Sequence, residues 1–266
     1  MKTGTGKKAL LVVSFGTSFS KTREKTIDQI EKALAAAFPD YPMYRAWTSK
    51  KIIAKLLRRD GIKVPTVKEA IEQMLEDGIR EVIVQPTHLV NGIENDEMKK
   101  DVQFYGTAFT SISFGEPLLT SIEDQKQSIQ AVMEEFTELK SDQALVLMGH
   151  GTTHHANFIY VALDNMLKDL GYNNVFLGTV EAYPSLNTLI KKIGELHFEK
   201  VLLAPFMVVA GDHAIHDMSG EDEDSWRSRF EAAGFSVECI MKGLGEYSGI
   251  RRLYVEHARA AESGLD

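Results

Sequence analysis

"ALLVVSFGTS", residues 9–18, and "ALVLMGHGTT", residues 144–153, align without a gap at an offset of 135. Each is a short apolar run that ends in a small, glycine-containing turn, as expected of a buried strand leading into a loop. Two further blocks repeat in the same order. "YRAWTSKKII" from Tyr44 aligns on "VEAYPSLNTL" from Val180, and "REVIVQPTHLVNGIE" from Arg80 aligns on "EKVLLAPFMVVAGDH" from Glu199. Identities are few, but small residues, prolines and apolar positions keep step. An ordered repeat of this kind implies one architecture used twice.

Around these blocks, β-branched runs alternate with longer amphipathic segments. The pattern predicts strands at 9–14, 43–47, 81–86, 110–114, 144–149, 175–181, 200–206 and 235–240. It predicts helices at 20–37, 50–58, 66–77, 94–104, 121–139, 155–170, 186–196, 222–233 and 247–262. Alternation of this type indicates crossover units and an α/β fold, with parallel sheets flanked by helices. The repeat divides the chain into two similar lobes, 1–130 and 131–266, with the boundary in the segment 116–143. Open α/β sheets bind ligands beyond the carboxyl ends of their strands, so the active site is expected in a cleft between the lobes.

Composition narrows the function classes. The 266 residues carry 44% apolar and 26% charged side chains, as an ordinary globular enzyme does. A net charge of −8 argues against general nucleic-acid or anionic-membrane binding, and an acidic substrate would need a local basic patch. The single cysteine, Cys239, excludes a disulfide framework and a thiolate metal cage. A bound metal would therefore take imidazole and carboxylate ligands, which suit first-row divalent ions. No apolar stretch approaches the length of a membrane span. "MKTGTGKKALLVVSF" imitates a signal peptide, but its apolar core is short and charged "SKTREK" follows. It reads as the first strand of a cytoplasmic protein. "GTGKK", 4–8, precedes the first strand instead of following it, and "GHGTTH" lacks a third glycine; no nucleotide cofactor is expected.

The repeat compares strand tips directly. His150 aligns with Phe15, Glu181 with Arg45, and His213 with Glu94. One half presents imidazole, carboxylate and imidazole; the other presents an aromatic, a guanidinium and a carboxylate. This suggests one wall for chemistry and one for holding a ligand. His150 lies between Gly149 and Gly151, where backbone can bring a side chain close to a ligand. Glu181 ends an apolar run and would need a partner or a cation if buried. His213 follows a glycine, with His216 three residues on. His154 and His155 are adjacent at a helix start and point about 100° apart, which suits capping or surface roles, with His154 near the ligand. Ser219 and the acidic run after it, "SGEDEDSW", suit a helix N-terminus. His88, His197 and His257 have no partner in sequence.

Four stretches, "SFGTS" (14–18), "MGHGTTHHA" (148–156), "VEAYP" (180–184) and "VAGDHAIHDMSGEDEDSW" (209–226), carry a resemblance that spans essentially the whole chain. It resembles the anaerobic sirohydrochlorin cobaltochelatases of cobalamin biosynthesis, the CbiK type of the class II chelatase superfamily. The resemblance implies insertion of Co2+ into sirohydrochlorin or precorrin-2 without nucleotide hydrolysis. It places the family's metal-binding and catalytic residues on His150, Glu181 and His213, and His150 is the leading candidate for base. Phe15, Arg45, Glu94 and His154 complete an expected substrate-binding set, with Phe15 packing on the ring and Arg45 meeting its peripheral carboxylates. Fe2+ insertion for sirohaem, Ni2+ insertion and a non-catalytic tetrapyrrole or metal carrier stay open, since ligand type does not separate the metals. No nucleic-acid or membrane partner is expected, and the sequence is compatible with a homo-oligomer.

Overall fold

The computed structural model describes residues 7–263. Gly4, Thr5 and Gly6 of the glycine-lysine stretch lie outside them, and Lys7 and Lys8 already belong to the first strand. The first compact unit comprises the chain up to Thr120 and again from Ile250; the second runs from Ser121 to Gly249.

In the first unit the order is β1 (Lys7–Ser14), α1 (Ser20–Lys25), α2 (Ile27–Ala37), β2 (Met43–Trp47), α3 (Lys50–Asp60), α4 (Val67–Glu76), β3 (Ile79–Pro86), α5 (Ile93–Phe104) and β4 (Ser111–Phe114). Its strands form one parallel sheet, β2-β1-β3-β4. Leu10 to Val13 are all fully buried, so both faces of β1 are covered, which explains its unbroken apolar run. The helices follow local signals. Thr66 and Glu69 form a reciprocal capping box at the start of α4, whose Val67, Ala70, Ile71 and Met74 make one buried stripe. The helix expected at 20–37 is divided at Thr26, whose hydroxyl donates to the Thr22 carbonyl 2.6 Å away.

The second unit runs α6 (Ile122–Met133), β5 (Gln143–Gly149), α7 (Phe158–Asp169), β6 (Val175–Thr179), α8 (Leu186–Gly194), β7 (Lys200–Pro205), α9 (Trp226–Ala232) and β8 (Ser236–Cys239). Its parallel sheet has the order β6-β5-β7-β8, the same topology as the first. Ala144, Val146 and Met148 of β5 pack with Phe176, Leu203, Trp226 and Phe230 in one core.

The final helix, α10 (Ser248–Glu262), departs from the expected division at 130/131. From Ile250 onward it belongs to the first unit, where the Tyr254 hydroxyl donates to the Thr87 carbonyl at 2.8 Å and Ser113 to Ala261 at 2.5 Å. The cause is its apolar stripe of Ile250, Leu253, Tyr254, Ala258 and Ala261, all buried. The first part of the expected boundary segment, up to Thr120, stays with the first sheet, and α6 opens the second unit. No helix among the described residues is long and apolar enough to cross a membrane.

The two sheets can be superposed in register from their ladders alone. Val13 pairs with Pro86 in one and Met148 with Pro205 in the other, so the first and third repeat blocks keep the offsets read from sequence. Ser14 pairs with Trp47, however, and Gly149 with Thr179. The second block is therefore out of step by four residues. Beyond those pairs, Ser49 donates to the Phe15 carbonyl at 3.2 Å and Glu181 donates to the His150 carbonyl at 3.0 Å. The counterpart of Glu181 is Ser49, and the pairing of Glu181 with Arg45 is corrected. Two residues, Thr48 and Ser49, join β2 to α3, whereas six, 180–185, join β6 to α8. The sequence block aligned the two helix starts, Ser49 on Ser185, and so left the strand ends before them four residues out of step.

Candidate metal centre

Three side chains of the second unit meet at the carboxyl ends of β5, β6 and β7. His150 is the first residue after β5. A Cβ on Gly149 would come within 2.5 Å of the Tyr160 ring, and Gly151 adopts φ +84. A Cβ there would meet Thr179 at 2.9 Å and the Ala182 backbone nitrogen at 3.0 Å. The turn thus works only with glycine on both sides of the histidine. Two backbone hydrogen bonds, Val180 to Gly149 and Glu181 to His150, both at 3.0 Å, continue the contact between β5 and β6 past their ladder. They bring Glu181 beside the imidazole, with Oε1 3.9 Å from His150 Nε2.

His213 arrives differently. After β7 and its loop, Ile215 donates to the Gly211 carbonyl and a turn of π-helix spans Ala214–Met218. Ala214 and Met218 are fully buried and anchor the turn in the core. Ser219 closes it with backbone and side-chain hydrogen bonds to the Ala214 carbonyl, at 3.1 and 2.8 Å. Gly220 is required next, because a Cβ would lie 2.2 Å from the His216 carbonyl oxygen. Single π turns concentrate at functional sites, where the widened spacing re-aims side chains. Here the turn sets the His213 ring edge-on to His150, with centroids 4.5 Å apart and planes at 81°.

One ligand atom from each of His150, Glu181 and His213 lies within 4.8 Å of the others. A divalent first-row ion with ligand distances of about 2.0–2.2 Å draws such atoms to about 3–4 Å apart, a closure within reach of side-chain rotation. Both imidazoles have a defined tautomer. His150 Nδ1 is 2.8 Å from the Gly151 carbonyl, which can only accept, and His213 Nδ1 is 2.6 Å from Asp217 Oδ2. Nε2 is thus the lone-pair nitrogen in both. With side-chain exposures of 41%, 54% and 32% for His150, Glu181 and His213, the group is open to an incoming metal or ring. Two imidazoles and one carboxylate with open positions suit a metal that is picked up and handed on.

The family model for cobalt chelatase (CbiK) matches residues 8–263. The chain belongs to this family. It is 42% identical over 255 residues to the sirohydrochlorin cobaltochelatase of Salmonella typhimurium, covering 96% of each chain. It is 31% identical over 263 residues to sirohydrochlorin cobaltochelatase CbiKC of Nitratidesulfovibrio vulgaris, covering 98% of this chain and 92% of the relative. Among solved structures, SirB from Bacillus subtilis with Fe3+ is similar at a TM-score of 0.69 and 15% identity, covering 98% of both chains, and shares the chelatase fold.

The remaining residues expected at the site of this chelatase family have varied surroundings. Phe15 follows β1 and is 46% exposed. Arg45 is committed elsewhere. Its guanidinium binds both oxygens of the buried Glu31 and one oxygen of Asp28, an internal ion-pair cluster. Glu94 is the second residue of α5, as His213 is the second of its own helical turn, because Asp96 donates to Gly92 where Ile215 donates to Gly211. His154 Nδ1 accepts the Ala156 N–H at 3.1 Å and caps a short turn, which matches its capping reading. His216 is exposed and sits 3.8 Å from Asp212. Ser219 does not cap the following helix. That task falls to Ser225, whose Oγ accepts the Ser228 N–H at 3.1 Å, and α9 begins at Trp226, four residues later than expected.

Two residues carried little or no signal. Asp217 is marked in the sequence only by its i,i+4 spacing from His213. His88, just past β3, has both ring nitrogens buried with no partner at hydrogen-bond distance, and burial pushes its imidazole down to about 4 against the opposing influence of the Glu94 charge and the nearby Asn95 side chain.

Proposed function

We propose that this chain inserts Co2+ into sirohydrochlorin, with release of two protons and no consumption of nucleotide. The observation that carries the reading is the convergence of His150, Glu181 and His213, in a chain whose curated relatives are sirohydrochlorin cobaltochelatases. Insertion requires the metal to shed water, four ring nitrogens to replace its ligands, and two pyrrole N–H protons to leave. The trio supplies three ligands that substitute for water, and the carboxylate lowers the net charge of the bound dication. As the metal passes to the ring, His150 Nε2 loses it and regains a lone pair, which accepts one pyrrole proton. The Glu181 carboxylate, 3.9 Å away, takes the second, and both protons leave to solvent through these half-exposed side chains.

The test is a set of anaerobic initial rates, followed by tetrapyrrole absorbance, with Co2+, Fe2+ or Ni2+ and sirohydrochlorin or precorrin-2, and no nucleotide present. The expected result is fastest turnover with Co2+ and sirohydrochlorin. Faster turnover with Fe2+ would move the function to sirohaem formation, and no rate above the spontaneous reaction would make the protein a carrier.

A further inference from the structure

We infer that Asp217 is a positioning residue for His213, and that the two histidines are metal donors of deliberately unequal strength. The inference rests on the reading of His150, Glu181 and His213 as the ligands of incoming Co2+. His213 Nδ1 and Asp217 Oδ2 are 2.6 Å apart, the short end of a charge-assisted N–H···O bond. The carboxylate holds the proton on Nδ1, keeps the Nε2 lone pair toward the site, and makes the ring a stronger electron donor. His150 obtains the same tautomer from the Gly151 carbonyl at 2.8 Å, a neutral acceptor that adds orientation without the charge.

The backbone beneath Asp217 is built for this contact. It lies inside the π turn, between a residue pair sunk in the core, Ala214 and Met218, and the closing bonds of Ser219 to Ala214 and Ile215. Its neighbour His216 shows what the turn gives without such a lock: an exposed ring, 3.8 Å from Asp212. The consequence for the reaction is an order of release. His213 is the ligand that retains Co2+ longest, and His150, the weaker donor, lets go first and becomes free to take a pyrrole proton.

The experiment is titration of the apoprotein with Co2+ alone, read by calorimetry and by the visible absorption of the bound ion. The variants are D217A, D217N, H213A and, as a control on the same turn, H216A. Loss of a carboxylate behind a metal-bound histidine weakens affinity by about 10- to 100-fold, the expected result for D217A, with H216A within about twofold of wild type. D217N keeps an acceptor oxygen without the charge and is expected between the two, about three- to tenfold weaker than wild type. At saturating Co2+ the D217A spectrum should shift, which a merely structural role would not produce. If D217A does not fold, D217N decides alone. Wild-type affinity in D217A or D217N, with H213A impaired, overturns the role of Asp217. Wild-type affinity in H213A instead removes the ligand reading itself.

Discussion

Replacing His88 with leucine should flatten the acid sensitivity of the fold. Both ring nitrogens of His88 are buried with no partner at hydrogen-bond distance, and its imidazole is pushed from an ordinary value of 6.5 down to about 4. The sign follows from proton binding. Between those two values the unfolded chain binds a proton that the folded chain excludes, so stability falls as pH drops from 6.5 toward 4. The gap between 6.5 and about 4 caps the loss at roughly 3 kcal/mol, of which about 2 kcal/mol is lost by pH 5 and most of the rest by pH 4. In H88L that contribution disappears. At pH 7 the variant should be no less stable than wild type, because an apolar side chain removes two unsatisfied buried atoms. The assay is urea unfolding at pH 7, 6 and 5 for both proteins, with the midpoint and slope fitted separately. Parallel pH dependences in wild type and H88L would refute the argument, as would a wild-type curve flat between pH 7 and pH 5.

Two other substitutions test separate parts of the description. R45A strands the Glu31 carboxylate, only 4% exposed, and should cost about 3 kcal/mol in unfolding while leaving the KM for tetrapyrrole unchanged. A raised KM with normal stability would return Arg45 to substrate binding. G151A puts a Cβ at φ +84 against Thr179 and Ala182. It should lose about 2 kcal/mol of stability and, by displacing His150 from Glu181, about 100-fold in insertion rate; normal turnover would show that the turn tolerates a side chain.

The legible part of this molecule was its strands and the glycines that end them. All eight predicted strands are present, and two of the three tip pairs aligned by the repeat, Phe15–His150 and Glu94–His213, hold their relation in three dimensions. Parallel strands buried on both faces leave continuous apolar runs, and close backbone approach at Gly149 and Gly151 leaves glycine; both are written locally. What was hidden depends on contacts distant in sequence. The loop after β6 is four residues longer than the loop after β2, so aligning the helix starts paired Glu181 with Arg45 instead of Ser49. Arg45 carried no mark of its engagement by Glu31, fourteen residues upstream. The return of α10 to the first sheet is a matter of which apolar groove its stripe fits, and periodicity is silent on that. The π turn that aims His213 and Asp217 depends on Ser219 and Gly220, which read in sequence as a helix start.

The central claim is that His150, Glu181 and His213 hold the metal that is inserted. Its most direct test is the anaerobic initial rate of Co2+ insertion into sirohydrochlorin by wild type, H150A and H213A, each shown to be folded by circular dichroism. The account predicts catalysis above the spontaneous rate in wild type and its loss in both variants, with H213A also failing to retain Co2+. Near-normal rates in both variants would contradict it.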